Sequence, residues 1–263
     1  MEAVAFVAVW VTAGYTLSLS SNVYLLLGVP LTAAFQLVVR RRPLRELFAP
    51  ATTRFALTKR GAAIAAVLAV VPGYYAIGAL MAHDWSGLGW YLAAMAGAVA
   101  AAFSLRASPV VIALRDAALP IALGAGGMAT VYAVLHIATG TQWPAMAAVA
   151  AVAKYTALYF PATFLLEEVA FRGALDAHVH HEGEGRSWQS AVLVSALWGL
   201  WHLPVASVAS SFPLPVLVTE LVVVHVALGV PLSFAWRRTR NLAAPAFAHA
   251  VIDAVRNASM LGL

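Results

Sequence analysis

Long apolar stretches recur along the whole sequence, and they constrain the fold more than any other feature. A helix that crosses the hydrocarbon core of a bilayer needs about 20 consecutive apolar residues. Nine stretches of this kind follow one another, and only the short segment SLSSN separates the first two. The sequence therefore predicts an all-α polytopic transmembrane helical bundle with eight or nine spans. The expected spans are roughly 3–19, 22–39, 62–82, 88–105, 118–138, 145–166, 188–207, 214–236 and 241–260.

The composition agrees with a membrane protein and excludes several other classes. Of the 263 residues, 62% are hydrophobic and 10% are charged, whereas soluble domains carry about 25% charged residues. The absence of cysteine excludes disulfides, thiolate metal sites and a cysteine nucleophile. The N-terminal MEAVAFVAVW lacks the basic segment of a cleaved signal peptide, so we expect a retained first helix. No basic face of the kind that binds nucleic acid is present, so the lipid bilayer is the expected surrounding.

Basic residues mark one side of the predicted bundle. In a nine-span arrangement the loops after spans two, four, six and eight share a side, and the alternate loops HDWSG and GTQWP carry no Arg or Lys. Cytoplasmic loops of membrane proteins are enriched in Arg and Lys. We therefore expect a multi-pass protein of the cell membrane with its N-terminus in the cytoplasm. The basic residues on this side are Arg40, Arg41, Arg42, Arg45, Arg54, Lys59, Arg60, Arg106, Arg115, Arg172, Arg186, Arg237, Arg238 and Arg240.

The stretch LLEEVAFRG, residues 165–173, places three charged side chains at the end of the sixth span. Each charge near the centre of a membrane helix costs roughly 2.5–3.5 kcal/mol on insertion scales, so such residues usually serve a purpose. Glu168 and Arg172 are four residues apart and can pair on one helical face. Glu167 points about 100° away from Glu168 on an α-helix. It is the carboxylate without a full partner, which suits it to accept a proton from water.

Pro161 lies six residues before Glu167, inside the same apolar pattern. Proline removes a backbone hydrogen bond and typically kinks a helix. We therefore expect a break or kink just before Pro161, which would present Glu167 to an enclosed polar cavity.

Two later spans also carry polar residues that lipid would exclude. His202 follows Trp198 by one turn in LWGLWHLP, and His249 and Asp253 share a helical face in PAFAHAVID. Polar groups of this kind turn toward the interior of a bundle, so we expect a common site among the last four spans. Structural interpretations stay open for each residue alone: Trp198 can serve packing, and a single histidine can join two helices by a hydrogen bond. His225 can pair locally with Glu220.

Three motifs occur in order on these late spans. EEVAFRG fits EExxxR, WGLWH fits aromatic-xxxHis, and HAVID fits HxxxN/D. Together they resemble the CPBP family of intramembrane proteases, named for CAAX proteases and bacteriocin-processing enzymes and also called the ABI family. The resemblance covers roughly residues 150–260. It divides the chain into N-terminal transmembrane helices, 1–144, and a CPBP-like catalytic core, 145–263, within one integral membrane domain.

The resemblance implies a glutamate-dependent endopeptidase whose site opens toward the cytoplasm and whose substrate is a peptide or protein at the membrane. Glu167 with His202 would activate water. His249 with Asp253 would stabilise the oxyanion, and Glu168 with Arg172 would brace these groups. The candidate catalytic residues are thus Glu167, Glu168, His202, His249 and Asp253, and the candidate supporting residues are Arg172 and Trp198.

One departure from the family pattern leaves the mechanism open. The best-studied branch has Asn at the position of Asp253, and an ionised Asp cannot donate a hydrogen bond to an oxyanion. Asp253 would have to be protonated, orient His249 or bind a metal. Zinc bound by the same residues is the alternative to a cofactor-free mechanism, although HExxH, the signature of helical zincins, is absent. A proton-coupled transporter or an inert immunity protein are the non-proteolytic alternatives.

Overall fold

The computed structural model describes residues 1–48, 56–106, 110–142, 145–181 and 187–261. The basic residues Arg54 and Arg186 lie outside these ranges. All regular structure within the described ranges is helical, as predicted. The α-helices are α1 (Glu2–Thr16), α2 (Ser21–Ala34), α3 (Lys59–Met81), α4 (Trp85–Arg106), α5 (Val110–Thr139), α6 (Ala145–Thr163), α7 (Ala177–Val179), α8 (Trp188–Trp201), α9 (Leu203–Ala209), α10 (Leu214–Thr239) and α11 (Ala243–Ser259).

Each of the nine predicted spans contains one of the longer helices. Among the described residues, seven helical segments are long and apolar enough to cross a bilayer. The first and last helices are shorter, with 15 residues in α1 and 17 in α11. The predicted all-α polytopic bundle is therefore confirmed.

The sixth span departs from α-helical geometry, but not where proline predicts. Pro161 lies inside α6, which continues without a break to Thr163. A π-helical segment, Phe164–Asp176, then leads into α7. The predicted break before Pro161 is wrong, because neighbouring helices in a membrane bundle can compensate for the lost hydrogen bond. The irregular geometry instead covers the EExxxR residues, and π-helical turns are frequent at functional sites.

A glycine brings α4 close to this part of α6. A methyl group on Gly97 would collide with the backbone carbonyl of Pro161. Small residues let helix backbones approach each other in membranes. The close approach at Gly97 therefore helps to fix where the π-helical segment begins.

An aromatic cluster joins the N-terminal helices to the C-terminal ones. The indole of Trp10 donates a hydrogen bond to the carbonyl of Tyr24, and the Tyr24 hydroxyl donates to the carbonyl of Trp201 over 2.7 Å. The Trp10 ring also stacks near Phe171 and occupies the space left by the missing side chain of Gly28. Helices α1 and α2 thus support the α8 end that carries Trp201.

Buried ion pairs and hydrogen bonds connect the helices at the end of the bundle that carries the basic loops. Asp176, which is fully buried, accepts a hydrogen bond of 3.0 Å from Nε of Arg237. Arg40 donates a hydrogen bond of 2.8 Å to the carbonyl of Gly173. These contacts tie the end of the π-helical segment to α10 and to the residues after α2.

Candidate active site

The predicted site residues gather around one cavity of about 450 Å³. Glu167, Trp198, His202, His249 and Asp253 all line it. The rest of its wall is mostly apolar, and it comes from α2, α4, α5, α9 and α10 as well as from the motif helices. Glu167 therefore faces a cavity, but the wall of this cavity is mostly apolar rather than polar as expected.

Glu168 and Arg172 lie behind this cavity rather than in its wall, and both side chains are fully buried. Arg172 Nη1 donates a hydrogen bond of 3.0 Å to Oε1 of Glu168, which is the pair predicted from the four-residue spacing. The same carboxylate oxygen lies 2.8 Å from Nδ1 of His249. An ionised carboxylate only accepts hydrogen bonds, so Nδ1 carries the proton. Glu168 thus fixes the orientation of His249, a contact that the sequence did not predict.

Glu167 is held by a different set of partners. Trp198 Nε1 donates a hydrogen bond of 2.9 Å to Oε2 of Glu167, and Nε2 of His249 lies 3.8 Å from the same oxygen. Trp198 is thus more than a packing residue, because its indole positions the carboxylate. The His249 ring stands between the two adjacent glutamates, with one nitrogen facing each.

His202 reaches the cavity from the end of α8. Its Nδ1 lies 2.9 Å from the carbonyl of Trp198, and because a carbonyl only accepts, Nδ1 donates. In the neutral ring Nε2 then keeps its lone pair and can accept a hydrogen bond from water. Within the described structure, His202 and Glu167 share the cavity without a direct hydrogen bond between them.

His225 of α10 belongs to the same cluster, although the sequence interpretation paired it with Glu220. Its Nδ1 lies 2.6 Å from the carbonyl of Leu221, its ring centroid is 4.2 Å from that of His202, and it lines the cavity. The pairing with Glu220 is therefore wrong. Four residues later on the same helical face, the Gly229 carbonyl accepts a hydrogen bond of 3.4 Å from Arg172.

Asp253 lies between His249 and Arg256. Its Oδ2 is 3.5 Å from Nε2 of His249, and its Oδ1 is 3.6 Å from Nη2 of Arg256. Arg256 also lines the cavity, and sequence reasoning did not select it. The next residue, Asn257, donates a hydrogen bond of 2.8 Å to the hydroxyl of Tyr159. Asp253 is thus placed to orient the His249 ring through Nε2.

A metal site was the alternative use of these residues. In the part of the chain that the structure describes, no group of three or more His, Cys, Asp or Glu side chains could hold a metal ion. The nitrogen Nδ1 of His249 and that of His202 are already bonded to protein oxygens.

The cavity reaches residues near the ends of several helices. Its wall includes Leu25 and Trp90, near the starts of α2 and α4, and Ala206, near the end of α9. These helix ends lie opposite the basic loops.

The motifs and their geometry agree with the comparison to protein families. Residues 150–255 match the family model described as type II CAAX prenyl endopeptidase, Rce1-like. No curated protein and no solved structure matches the chain significantly. The matched range contains all three motifs and every predicted site residue. The match over residues 150–255 agrees with the resemblance to CAAX proteases that the motifs predicted.

Proposed function

We propose that this protein is an intramembrane endopeptidase in which Glu167 activates the attacking water. The observation that carries the proposal is the placement of Glu167 in the cavity wall, held by the Trp198 indole and adjacent to Nε2 of His249. The family match supports the reaction class. The separate surroundings of the two glutamates support separate roles, since Oε1 of Glu168 is bonded to both Arg172 and His249.

In the proposed reaction, Glu167 accepts a proton from water while the water oxygen forms a bond to the peptide carbonyl carbon. The carbonyl electron pair moves to oxygen and gives a tetrahedral oxyanion. The lone pair on Nε2 of His202 orients the water by accepting its other hydrogen. When the C–N bond breaks, Glu167 returns its proton to the leaving amine, so the products are a carboxylic acid and an amine.

The charges around His249 suggest how the oxyanion is stabilised. Three carboxylates (Glu167, Glu168 and Asp253) and two guanidinium groups (Arg172 and Arg256) surround or adjoin the ring. A positively charged His249 would make this cluster neutral. Its Nε2–H could then donate to the oxyanion, and such preorganised donors often make the largest single contribution to catalysis. Asp253 would orient His249 rather than donate a hydrogen bond itself.

We propose that the reaction needs no metal. The described residues supply no three-ligand group for zinc, and the chemistry above uses carboxylate and imidazole groups alone. Metal analysis of the purified protein, together with activity after treatment with a chelator, tests this part of the proposal.

The substrate we propose is a lipid-modified or membrane-inserted peptide. The name of the matched family supports a prenylated C-terminal peptide, and the mostly apolar cavity wall suits a lipid chain or an apolar peptide segment.

The test uses purified protein in lipid nanodiscs, a farnesylated CAAX peptide and the same peptide without the lipid, with products identified by mass spectrometry. Wild type should cleave the farnesylated peptide and keep its activity in EDTA. Glu167→Gln should not cleave it. Glu220→Gln, which changes an exposed carboxylate outside the cavity wall, should cleave like wild type. Activity that is lost in EDTA and restored by zinc would contradict the metal-free mechanism.

A further inference from the structure

A second pocket lies at the end of the bundle that carries the basic loops. The connection between α4 and α5 and that between α10 and α11 meet there, because Nδ2 of Asn241 donates a hydrogen bond of 3.2 Å to the carbonyl of Ser104. The pocket has a volume of about 200 Å³ and lies between the first turns of α5 and the α10–α11 connection. None of its described lining residues lines the active-site cavity.

Two arginines converge in this pocket on one buried carboxylate. Oδ1 of Asp116 lies 3.4 Å from Nε of Arg115 and 3.2 Å from Nη2 of Arg238. Arg238 also donates a hydrogen bond of 3.4 Å to the backbone carbonyl of Asp116. Asp116 therefore holds the two guanidinium groups beside each other, although its single charge balances only one of them. The cluster keeps an excess positive charge.

Both guanidinium groups can accommodate a further anion. The side chains of Arg115 and Arg238 are 74% and 57% exposed, whereas that of Asp116 is 5% exposed. In the described structure, their hydrogen bonds use Nε and Nη2 of Arg115 and Nη2 of Arg238, so Nη1 of each arginine can still donate. The planar array of donors on a guanidinium matches the oxygens of a phosphate group. The pocket therefore suits a phosphate group.

An apolar row of side chains continues from the pocket along the surface of α5. Val111, Arg115, Leu119 and Leu123 are each four residues apart, so they are neighbours on one helical face. The three apolar members are 74%, 60% and 56% exposed. Helix α5 has 30 residues and is thus about 45 Å long, about 15 Å more than the hydrocarbon core of a bilayer. Its first two turns can lie among lipid head groups while Leu119 and Leu123 contact acyl chains.

We infer that this pocket binds the phosphate group of an anionic glycerophospholipid, with an acyl chain along Leu119 and Leu123. Basic pockets between transmembrane helices bind phospholipid head groups of this kind. A soluble phosphate would use the two arginines alone, whereas a phospholipid matches both the excess positive charge and the apolar row that follows it. The bound lipid connects α5 to the end of α10. The inference does not depend on the proposed proteolysis.

The test is native mass spectrometry of purified protein exchanged into mixed micelles that contain equal amounts of phosphatidylglycerol and phosphatidylcholine with the same acyl chains. Arg115→Gln removes one cation and leaves Arg238 beside Asp116. The triple variant Arg115→Gln/Asp116→Asn/Arg238→Gln removes all three charges together, so it leaves no buried carboxylate without a cation. Arg60→Gln is the matched control, since it changes an exposed arginine at the same end of the bundle that lies outside the pocket.

Wild type should retain phosphatidylglycerol in preference to phosphatidylcholine. Arg115→Gln should weaken this preference by about fivefold, the usual effect of one basic residue beside an anionic lipid, and the triple variant should abolish it. Arg60→Gln should match wild type, and millimolar inorganic phosphate should not release the lipid. If the triple variant gives little folded protein, the comparison of Arg115→Gln with Arg60→Gln decides the question alone.

Three results would overturn the inference. Wild type could retain the two lipids equally, which would leave the pocket without a preference for an anion. Arg115→Gln could lower the preference no more than Arg60→Gln does, which would indicate attraction by the whole basic end. Release of phosphatidylglycerol by inorganic phosphate would show that the site takes a soluble anion instead of a lipid.

Discussion

Glu167 and Glu168 are neighbours in sequence, yet their surroundings differ at every contact. Glu168 is fully buried and binds both Arg172 and His249 through one oxygen. Glu167 accepts a hydrogen bond from Trp198 and borders the cavity. Substitution of the two residues should therefore have different consequences, because Glu168 supports the structure and Glu167 faces the cavity.

Glu168→Gln should destabilise the protein. The change leaves the buried Arg172 guanidinium without its carboxylate, and breaking a buried pair in this way typically costs about 3–5 kcal/mol. The expected result is a lower melting temperature in detergent and a lower yield of folded protein. The double variant Glu168→Gln/Arg172→Met should recover part of this loss, because it removes the uncompensated charge. Equal melting temperatures for Glu168→Gln and wild type would show that the pair contributes little.

Asp253 should tolerate Asn better than Ala. Asn preserves the size of the side chain and can still bond to His249, which lies 3.5 Å from the Asp253 carboxylate. We expect Asp253→Asn to keep activity within about tenfold of wild type, and Asp253→Ala to lose about 10²-fold, as when one group that stabilises transition-state charge is removed. The measurement is kcat/KM on the farnesylated peptide. Equal losses in both variants would mean that the negative charge itself is required.

At the scale of helices, the contact between α4 and α6 sets the position of the EExxxR segment. Gly97→Ala would push a methyl group into the carbonyl of Pro161, and overpacking of this kind typically costs about 1–3 kcal/mol. We expect lower thermal stability together with lower activity per folded molecule. Gly126→Ala is the matched control, since a Cβ there meets no atom within 4 Å. A Gly97→Ala variant as stable and active as Gly126→Ala would show that the two helices can separate without consequence.

The sequence predicted which segments are helical, because runs of about 20 apolar residues have few other folds available in a membrane. It did not predict the π-helical segment Phe164–Asp176. A proline removes one backbone hydrogen bond, and neighbouring helices can compensate for that loss. The π-helical geometry likewise depends on how several helices pack. For the same reason the predicted break before Pro161 was wrong.

The candidate site was predicted as a set of residues but not as a set of contacts. The Glu168–Arg172 pair follows from spacing on one helix. The hydrogen bond from Trp198 to Glu167 joins residues 31 positions apart, and that from His249 to Glu168 joins residues 81 positions apart. His225 was assigned to the wrong partner because its contact with His202 depends on how α10 packs against α8. Contacts between helices require the tertiary structure.

At the scale of the whole molecule, the N-terminal helices take part in forming the site. Trp10 of α1 supports the aromatic cluster beside Trp201, and Leu25 of α2 lines the cavity. The N-terminal helices therefore form part of the surroundings of the site even though the family match begins at residue 150. The proposed proteolysis requires this whole arrangement to hold one carboxylate next to a bound peptide.

The most direct test of this account is the cleavage rate per folded molecule of Glu167→Gln. Gln preserves the shape of the side chain but cannot accept the proton from water, so the rate should fall by about 10²–10⁴, the usual contribution of a general base. Its melting temperature should stay close to that of wild type, and Glu220→Gln should match wild type in both measurements. If Glu167→Gln cleaves at the wild-type rate while Glu168→Gln is stable and inactive, the roles of the two glutamates are reversed and the account is contradicted.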